Sequence, residues 1–573
     1  MTTRLAALLE PKTNITEVAC LLSKMLRIKI SDNTLRTEIE AHAAYPSLLS
    51  ISDVYSRYGL DNLSIQFDQG IPPDTPTPFI TQIKSNGKSI DFFTVVKEYD
   101  DNFVTYFDPQ KHTWAAQSNT DFSKRCSNIV LMTDMEKSTG EKNYDQKVAR
   151  EKANRFIQYL SILAIPFLLL TVAVFYLSTD GLSALPPILF CTLTLTGVFI
   201  GALLIWYDID RHNSILQQIC TAGKKTNCAA VLRSKGAKVF GVSWSIIGVS
   251  YFFGSLAFQL ITGLTNPKTL EILSWLNLFA TPYVLYSVYY QWRIAKSWCV
   301  LCLAIQLILI LQCLVVLIFG WLQFPSTDKE TFGLLLQAIT AFSIGAIVIP
   351  LVSKSLFKHK ESTDIRNEIQ RLKQQPAVFE GLLQKQKVLQ EIPRGLGLIL
   401  GNANALYKII KVCNPYCGPC ATAHELLEEL LDITPDLSIQ IIFTATPNPK
   451  DFRNPPVTHL LALAESVEAP VLKQALNDWY RAPKKDYALF ASKYPMNGQL
   501  TTQEKKIESM HEWCEKTAVS STPTFFISLP KEENKDESIF HQLPPVYNIS
   551  DLIYFFIESA DVDRGIIEEH IHS

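Results

Sequence analysis

The chain has 573 residues, 47% of them hydrophobic and 19% charged, with a positive mean hydropathy. That length predicts three or four domains rather than one compact fold, and soluble domains carry nearer a quarter charged residues. The net charge of −2, from 53 basic and 55 acidic residues, excludes the basic surface of a nucleic-acid binder. The scarcity of long polar tracts excludes disorder for the chain as a whole.

Residues 1–150 read as helices followed by strands. Helical periodicity covers Ile15–Leu26, Thr34–Ala43 and Leu48–Tyr58; strand-like runs are Pro78–Ile83, Phe92–Tyr99 and Asn102–Phe107. The stretch Met1–Leu9 is too short for the apolar region of a cleavable signal sequence. The order of elements, with Ala19-Cys20-Leu21-Leu22, Tyr45-Pro46-Ser47-Leu48-Leu49, Pro78-Phe79-Ile80 and Tyr106-Phe107-Asp108-Pro109, resembles the papain-like peptidase domain of bacteriocin-exporting ABC transporters. A cysteine protease needs a thiol and an imidazole within hydrogen-bond reach. The resemblance puts the nucleophile position on Thr16 and the histidine position on Asp91, and retains Asp108 alone. A degenerate, peptide-binding domain is therefore expected. Cys20 as a displaced nucleophile, with His42 or His112 as base, is the competing reading.

The apolar residues pool in the middle third. Six runs of spanning length are predicted, at roughly 156–177, 187–207, 239–262, 271–292, 299–321 and 332–352. Pro166, Pro282 and Pro350 fall inside them, which membrane helices tolerate. Counting spans puts residues 1–155, the loop 208–238, the turn 293–298 and the tail from Ser353 on one face. Short turns around Asp180, Asn266 and Ser326 occupy the other. The first face is flanked by Arg150, Lys152, Arg155, Lys224, Lys225, Arg233, Lys235, Lys238, Arg293, Lys296, Lys354 and Lys358, against Lys268 and Lys329 opposite. By the positive-inside rule alone that face would be cytoplasmic. The cysteines argue the reverse.

Of twelve cysteines, Cys191 and Cys313 lie inside spans and read as packing residues. Cys220 and Cys228 share the loop, and Cys299 and Cys302 form Trp298-Cys-Val-Leu-Cys at the mouth of the fifth span. Cys417 and Cys420 form Cys-Gly-Pro-Cys between an apolar strand, Leu406–Val412, and a helical stretch, Ala421–Leu431. At a helix N-terminus the first thiol is exposed and its thiolate favoured, and the second is one turn away, close enough to close an exchangeable disulfide. Zinc would need four converging ligands, and no His-X3–5-His partner accompanies these pairs. Strand, Cys-Gly-Pro-Cys and helix open a thioredoxin fold. Thr522-Pro523 stands where such folds place a cis proline facing the active disulfide, and the helical stretch 453–515 resembles the insertion of DsbA-type thioredoxins. Cys413 and Cys514 read as a structural pair or as free buried thiols, and His424 as a solvated face residue.

Cys220-x7-Cys228, then Ser234 in Cys-Ala-Ala-Val-Leu-Arg-Ser, then Cys299-Val-Leu-Cys302, resembles the vitamin K epoxide reductase family over roughly 187–321. The resemblance implies a bacterial, quinone-dependent regenerator of disulfide-making partners. It implies that Cys302 faces the quinone, that Cys299 exchanges with Cys228, and that Cys220 takes electrons from the thioredoxin domain. Ser234 matches the family's hydroxyl near the quinone head group; capping of the short loop helix is its alternative role. Gln306 replaces the tyrosine of vertebrate members, which weakens epoxide reduction and leaves quinone reduction untouched.

The expected fold is thus multi-domain: an N-terminal α+β papain-like domain (1–150) and a six-span α-helical membrane bundle (151–355) with a four-helix core. A linker or helix (356–395) and a C-terminal α/β thioredoxin fold (396–573) follow. The expected activity is formation of protein disulfides. Electrons pass from substrate thiols through Cys417/Cys420, Cys220/Cys228 and Cys299/Cys302 to menaquinone or ubiquinone, with Thr522 and Pro523 meeting the substrate and no metal required. The expected partners are lipid, the quinone pool, reduced protein or peptide thiols and an extended peptide on the N-terminal domain. Disulfide generation belongs in an oxidising space, so a periplasmic location for the cysteine face of an inner-membrane protein is expected. The rival function is a peptide-processing or export accessory led by the N-terminal domain.

Overall fold

The computed structural model describes residues 13–68, 70–84, 91–109, 111–133, 140–210, 216, 220, 226–324, 328–434, 436–496, 498–528, 539–552 and 555–556, without the side chains of Asp91 and Lys235. Lys224, Lys225 and Ser326, named above, lie outside the described residues. The chain divides into two compact units, Met1–Glu368 and Ile369–Ser573.

In the first unit, helices Asn14–Met25, Asp32–Ala41 and Leu48–Arg57 precede a six-stranded antiparallel sheet. Its strands are β1 (Asn62–Gln66), β2 (Phe79–Lys84), β3 (Asp91–Tyr99), β4 (Phe103–Asp108), β5 (Thr113–Ser118) and β6 (Cys126–Thr133), in the order β1-β6-β2-β3-β4-β5. Ile15, Val18, Ala19 and Leu22 recur at helical spacing, so one stripe of the first helix is apolar. That stripe packs with Ile80, Phe93, Val95 and Leu131 of the sheet. The three helices and β2, β3 and β4 stand where the sequence predicts them, to within a residue or two. Strands β1, β5 and β6 were not anticipated.

Four helical stretches are long and apolar enough to cross a membrane: Tyr144–Ile209, Trp244–Thr262, Val300–Ile318 and Lys329–Lys373. The first is two helices, Tyr144–Asp180 and Leu185–Ile209, joined by one 3-10 turn, Gly181–Ala184. The chain is a multi-pass membrane protein. The predicted run 271–292 is not a single long helix and needs correction. It is built from Pro267–Ala280, Pro282–Tyr289 and a π turn, Tyr290–Ile294. Pro282 has no N–H to give the carbonyl one turn back, so the ladder is interrupted there.

Small residues let the spans approach closely. A Cβ on Gly197 would fall 2.6 Å from the Phe252 ring, and one on Gly345 would fall 2.8 Å from the Ser250 carbonyl oxygen. Polar side chains pair within the bundle: Asn277 Nδ2 donates to Gln312 Oε1 at 3.2 Å, and Gln312 Nε2 to Thr194 Oγ1 at 2.8 Å. Unpaired amides would be costly in an apolar interior.

The second unit holds a five-stranded sheet of β9 (Leu398–Gly401), β10 (Tyr407–Cys413), β11 (Leu437–Phe443), β12 (Thr524–Ser528) and β13 (His541–Gln542), in the order β13-β12-β10-β11-β9, where β7 (Lys238–Val239) and β8 (Val242–Ser243) are the short hairpin of the membrane loop. Strands β10 and β11 are parallel and every other pair is antiparallel. The helix Gly418–Ile433 makes the β10-to-β11 crossover, and helices Asn454–Ser466, Ala469–Arg481, Tyr487–Lys493 and Glu504–Lys516 are inserted before β12. This is a thioredoxin-like fold with a helical insertion. Phe379 and Leu383 of helix Pro376–Leu383 lie in the same core as β10 and β11.

Candidate functional site

The loop pair is joined: Cys220 and Cys228 form a disulfide with their Cα atoms 5.3 Å apart. Cys228 opens the short helix Cys228–Leu232, capped by Asn227, whose side chain accepts from the Ala230 amide at 3.1 Å. Immediately before it, Thr226 forms a parallel β-bridge with Trp298, and the Asn227 N–H donates to the Trp298 carbonyl at 3.0 Å. Residue for residue, this strap carries Cys228 to the segment that delivers Cys299. Cys220, Cys228 and Cys299 are fully buried in one core, with Cys302 packed against it. Cys299 caps the helix Val300–Ile318, and its sulfur accepts from the Cys302 amide at 3.3 Å. A helix N-terminus stabilises negative charge and so favours a thiolate over a thiol at its cap.

A polar network supports this pair. Gln291, buried in the π turn, accepts from the Cys299 amide through Oε1 at 2.8 Å and donates to Ser287 Oγ at 3.2 Å. Gln306 donates to the same hydroxyl, and its buried Oε1 has no partner among the described residues. Gln291 and Ser287 carry no sequence motif and were not singled out. Ser234 donates its hydroxyl to the Val231 carbonyl at 2.6 Å. It therefore closes the C-terminal end of the short helix and gives no side-chain cap to the turn after it. Its loop is tied down two residues later: the Gly236 N–H donates to Tyr290 Oη, and Trp244 Nε1 donates to the Gly236 carbonyl.

In the second unit, Cys417 is the N-cap of Gly418–Ile433, half-buried, and Cys420 is buried one turn in. The Thr522–Pro523 peptide is cis, and Cys417 Sγ lies 3.5 Å from the Thr522 carbonyl. Burial pushes the Cys417 thiol up against the lowering effect of the Cys420 amide. The hydrogen bond with Cys413, then burial, push the Cys420 thiol far higher. Lys411 is completely buried beneath the pair and donates to the Cys420 carbonyl at 3.0 Å. Burial lowers its ammonium, while Cys413 and Cys420 thiolates would raise it.

One expectation is corrected here. His424 is buried, its ring 4.7 Å from that of Tyr480, because it shares the inward stripe of its helix with Ala423 and Leu427. Burial, with the Lys411 charge, lowers its pKa to about 3. Of the two readings of Cys413 and Cys514, the structure has the second: both are unbridged and buried. Cys413 ends β10 with its thiol 3.1 Å from Tyr480 Oη.

In the N-terminal domain Thr16 is buried, its hydroxyl 3.0 Å from the Thr13 carbonyl. Cys20 is buried and directed at the Asp32 carbonyl, 3.9 Å away. His42 pairs with Asp53 at 3.2 Å, and His112 with Glu17 at 2.7 Å. Among the described residues, no group of three or more His, Cys, Asp or Glu is arranged to hold a metal ion.

Two family profiles match the chain: the vitamin K epoxide reductase family over residues 188–318 and the peptidase C39 family over residues 15–138. No curated protein matches it. Among solved structures, BcfH of Salmonella enterica Typhimurium is similar at 13% identity and TM-score 0.26, covering 41% of this chain and 99% of its own. The alpha-DsbA1 of Wolbachia pipientis is similar at 14% identity and TM-score 0.24, covering 31% of this chain and 96% of its own. BdbD of Bacillus subtilis follows at 10% identity and TM-score 0.23, with 31% and 97% covered. The thioredoxin-like assignment stands on strand order, the parallel β10–β11 pair and the Cys-Gly-Pro-Cys helix start. Together these domains make the chain a thiol–disulfide oxidoreductase. It carries a peptidase C39 family domain at residues 15–138, a vitamin K epoxide reductase family membrane domain at residues 188–318 and a thioredoxin-like domain after them.

Proposed function

We propose that the protein oxidises thiols at the expense of a membrane quinone, on the extracytoplasmic side of a bacterial inner membrane. Substrate thiols reduce the Cys417–Cys420 disulfide. Cys417 then attacks Cys220, releasing Cys228, and Cys420 resolves the mixed disulfide. Cys228 attacks Cys299 of an oxidised Cys299–Cys302 pair, and Cys220 closes back on Cys228. Each step trades one S–S bond for another, so two electrons move and no metal or nucleotide is consumed. The observation that carries this reading is the Thr226–Trp298 strap, which brings the Cys228 disulfide into one core with Cys299.

The residues beside Cys302 suit a quinone head group. Tyr283 packs against the same core as Cys302, and Gln306, one turn beyond Cys302, offers a buried oxygen without a partner among the described residues. A bound quinone would supply the two-electron acceptor. Ser234 would donate to a quinone carbonyl by turning its hydroxyl away from Val231. Thr522 and Pro523 would meet the substrate's chain at Cys417. With threonine at the nucleophile position, the N-terminal domain binds an extended peptide rather than cutting it.

The test is a trap. In the Cys220→Ala protein, Cys228 has no partner to release it, so oxidation should accumulate a Cys228–Cys299 linked peptide readable by mass spectrometry. If Cys228 instead remains free while Cys299 and Cys302 stay joined to one another, the proposed order of exchange is wrong.

A further inference from the structure

The relay uses two of the three cysteines gathered at the end of β10. Cys413 is wholly buried, and its thiol is within hydrogen-bonding reach of that of Cys420. Tyr480 Oη stands 3.1 Å from Cys413 Sγ, and Lys411 Nζ lies 4.8 Å from the Tyr480 ring centroid. Lys411 is completely buried. A buried ammonium is retained at a cost unless an anion or a π face offsets it, and a Cys413 thiolate beside it provides the anion. Burial works against that thiolate. The hydrogen bonds from Cys420 and Tyr480 and the Lys411 charge outweigh it, so the net direction is down.

We propose that Cys413 is a third redox cysteine, which exchanges with the surface disulfide to form a buried Cys413–Cys420 bond and frees Cys417. The step is balanced within the domain. Cys413 Sγ, deprotonated, attacks Cys420 Sγ; the Cys413–Cys420 bond forms and the Cys417–Cys420 bond breaks. The electron pair leaves on Cys417 Sγ, which regains from solvent the proton that Cys413 gave up. No external oxidant or reductant takes part. The oxidising equivalent is then held where substrate thiols do not reach it. Cys417 is left as a half-exposed nucleophile at a helix N-terminus, able to open a disulfide in a bound protein. This inference rests on the reading of Cys417–Cys420 as a redox-active pair.

The full-length protein in detergent micelles is oxidised with diamide, which joins thiol pairs and leaves no glutathione on a single thiol, quenched in acid, and alkylated with N-ethylmaleimide under denaturing conditions. All three cysteines fall in one tryptic peptide, so the position of the single label identifies the bond. Label on Cys417 in a measurable fraction of molecules marks the buried disulfide and supports the inference. Label on Cys413 alone overturns it and leaves the redox pair intact. Label on all three cysteines overturns both. Cys417→Ala, altered at the helix cap rather than in the core, supplies a second reading. Its oxidation should remove both remaining thiols of this peptide from labelling, and adding Cys413→Ala to that background should leave Cys420 fully labelled. Two labels on oxidised Cys417→Ala would equally overturn the proposal.

Discussion

On the inward face of the Cys-Gly-Pro-Cys helix stands a histidine with no hydrogen-bond partner among the described residues. Neither ring nitrogen of His424 is hydrogen-bonded among the described residues, and burial lowers its pKa from the ordinary 6.5 to about 3. The unfolded chain therefore takes up this proton between about 6.5 and about 3 while the folded chain does not. Stability is lost as pH falls through that window and is fully present above it. His424→Phe should abolish that component, so the denaturation midpoints of variant and wild type should diverge as pH falls from 7 to 4. Parallel pH profiles would contradict it. The same residue shows what was legible. Its position was read from polarity alone, whereas its spacing from Cys420, Ala423 and Leu427 already put it on the inward stripe. Gln291 had no such signal, because a glutamine in a span announces nothing until its partner is seen. Gln291→Leu leaves the buried Cys299 amide unpaired, a loss of about 1–3 kcal/mol. It should slow reoxidation of the loop pair about tenfold or more with Cys220 and Cys228 still able to join, as stopped-flow thiol trapping would read.

At the scale of elements, the membrane helices were plain from their apolar runs, yet their contacts were not. Nothing in the run 187–207 says that Gly197 faces Phe252, because all faces of that helix are apolar and hydropathy has no period to exploit. Gly197→Ala puts a methyl 2.6 Å from the ring and should cost about 1–3 kcal/mol through overpacking, lowering the melting temperature in detergent. An unchanged melting temperature would show that these two helices separate freely. The unexpected strands have a related cause. In Cys126–Thr133 a polar start runs into Ile129-Val130-Leu131-Met132 without alternation, since β6 is an interior strand between β1 and β2. An apolar run of that length is ambiguous between strand and helix. The peptidase-like helices, with clean 3.6-residue stripes, were read almost to their ends.

For the whole molecule, sequence motifs identified every domain, because cysteine spacing, the Thr-Pro pair and the order of helices and strands are local. What they left out is depth: which sulfur is buried, which amide holds it, and that Cys413 lies beneath Cys420. The proposed periplasmic side rests on the disulfide chemistry and stands against the lysine and arginine count. In intact cells a membrane-impermeant maleimide should label Cys417 after mild reduction, and protection of Cys417 would place the soluble domains in the cytoplasm. The central claim is that electrons leave the protein only through Cys302. It is tested by supplying a dithiol and a soluble quinone to the purified full-length protein and following quinone absorbance. The wild type should turn over steadily, and Cys302→Ala should lose at least about a hundredfold of that rate while Cys417 and Cys420 still exchange with the dithiol. Undiminished quinone reduction by Cys302→Ala would contradict the relay.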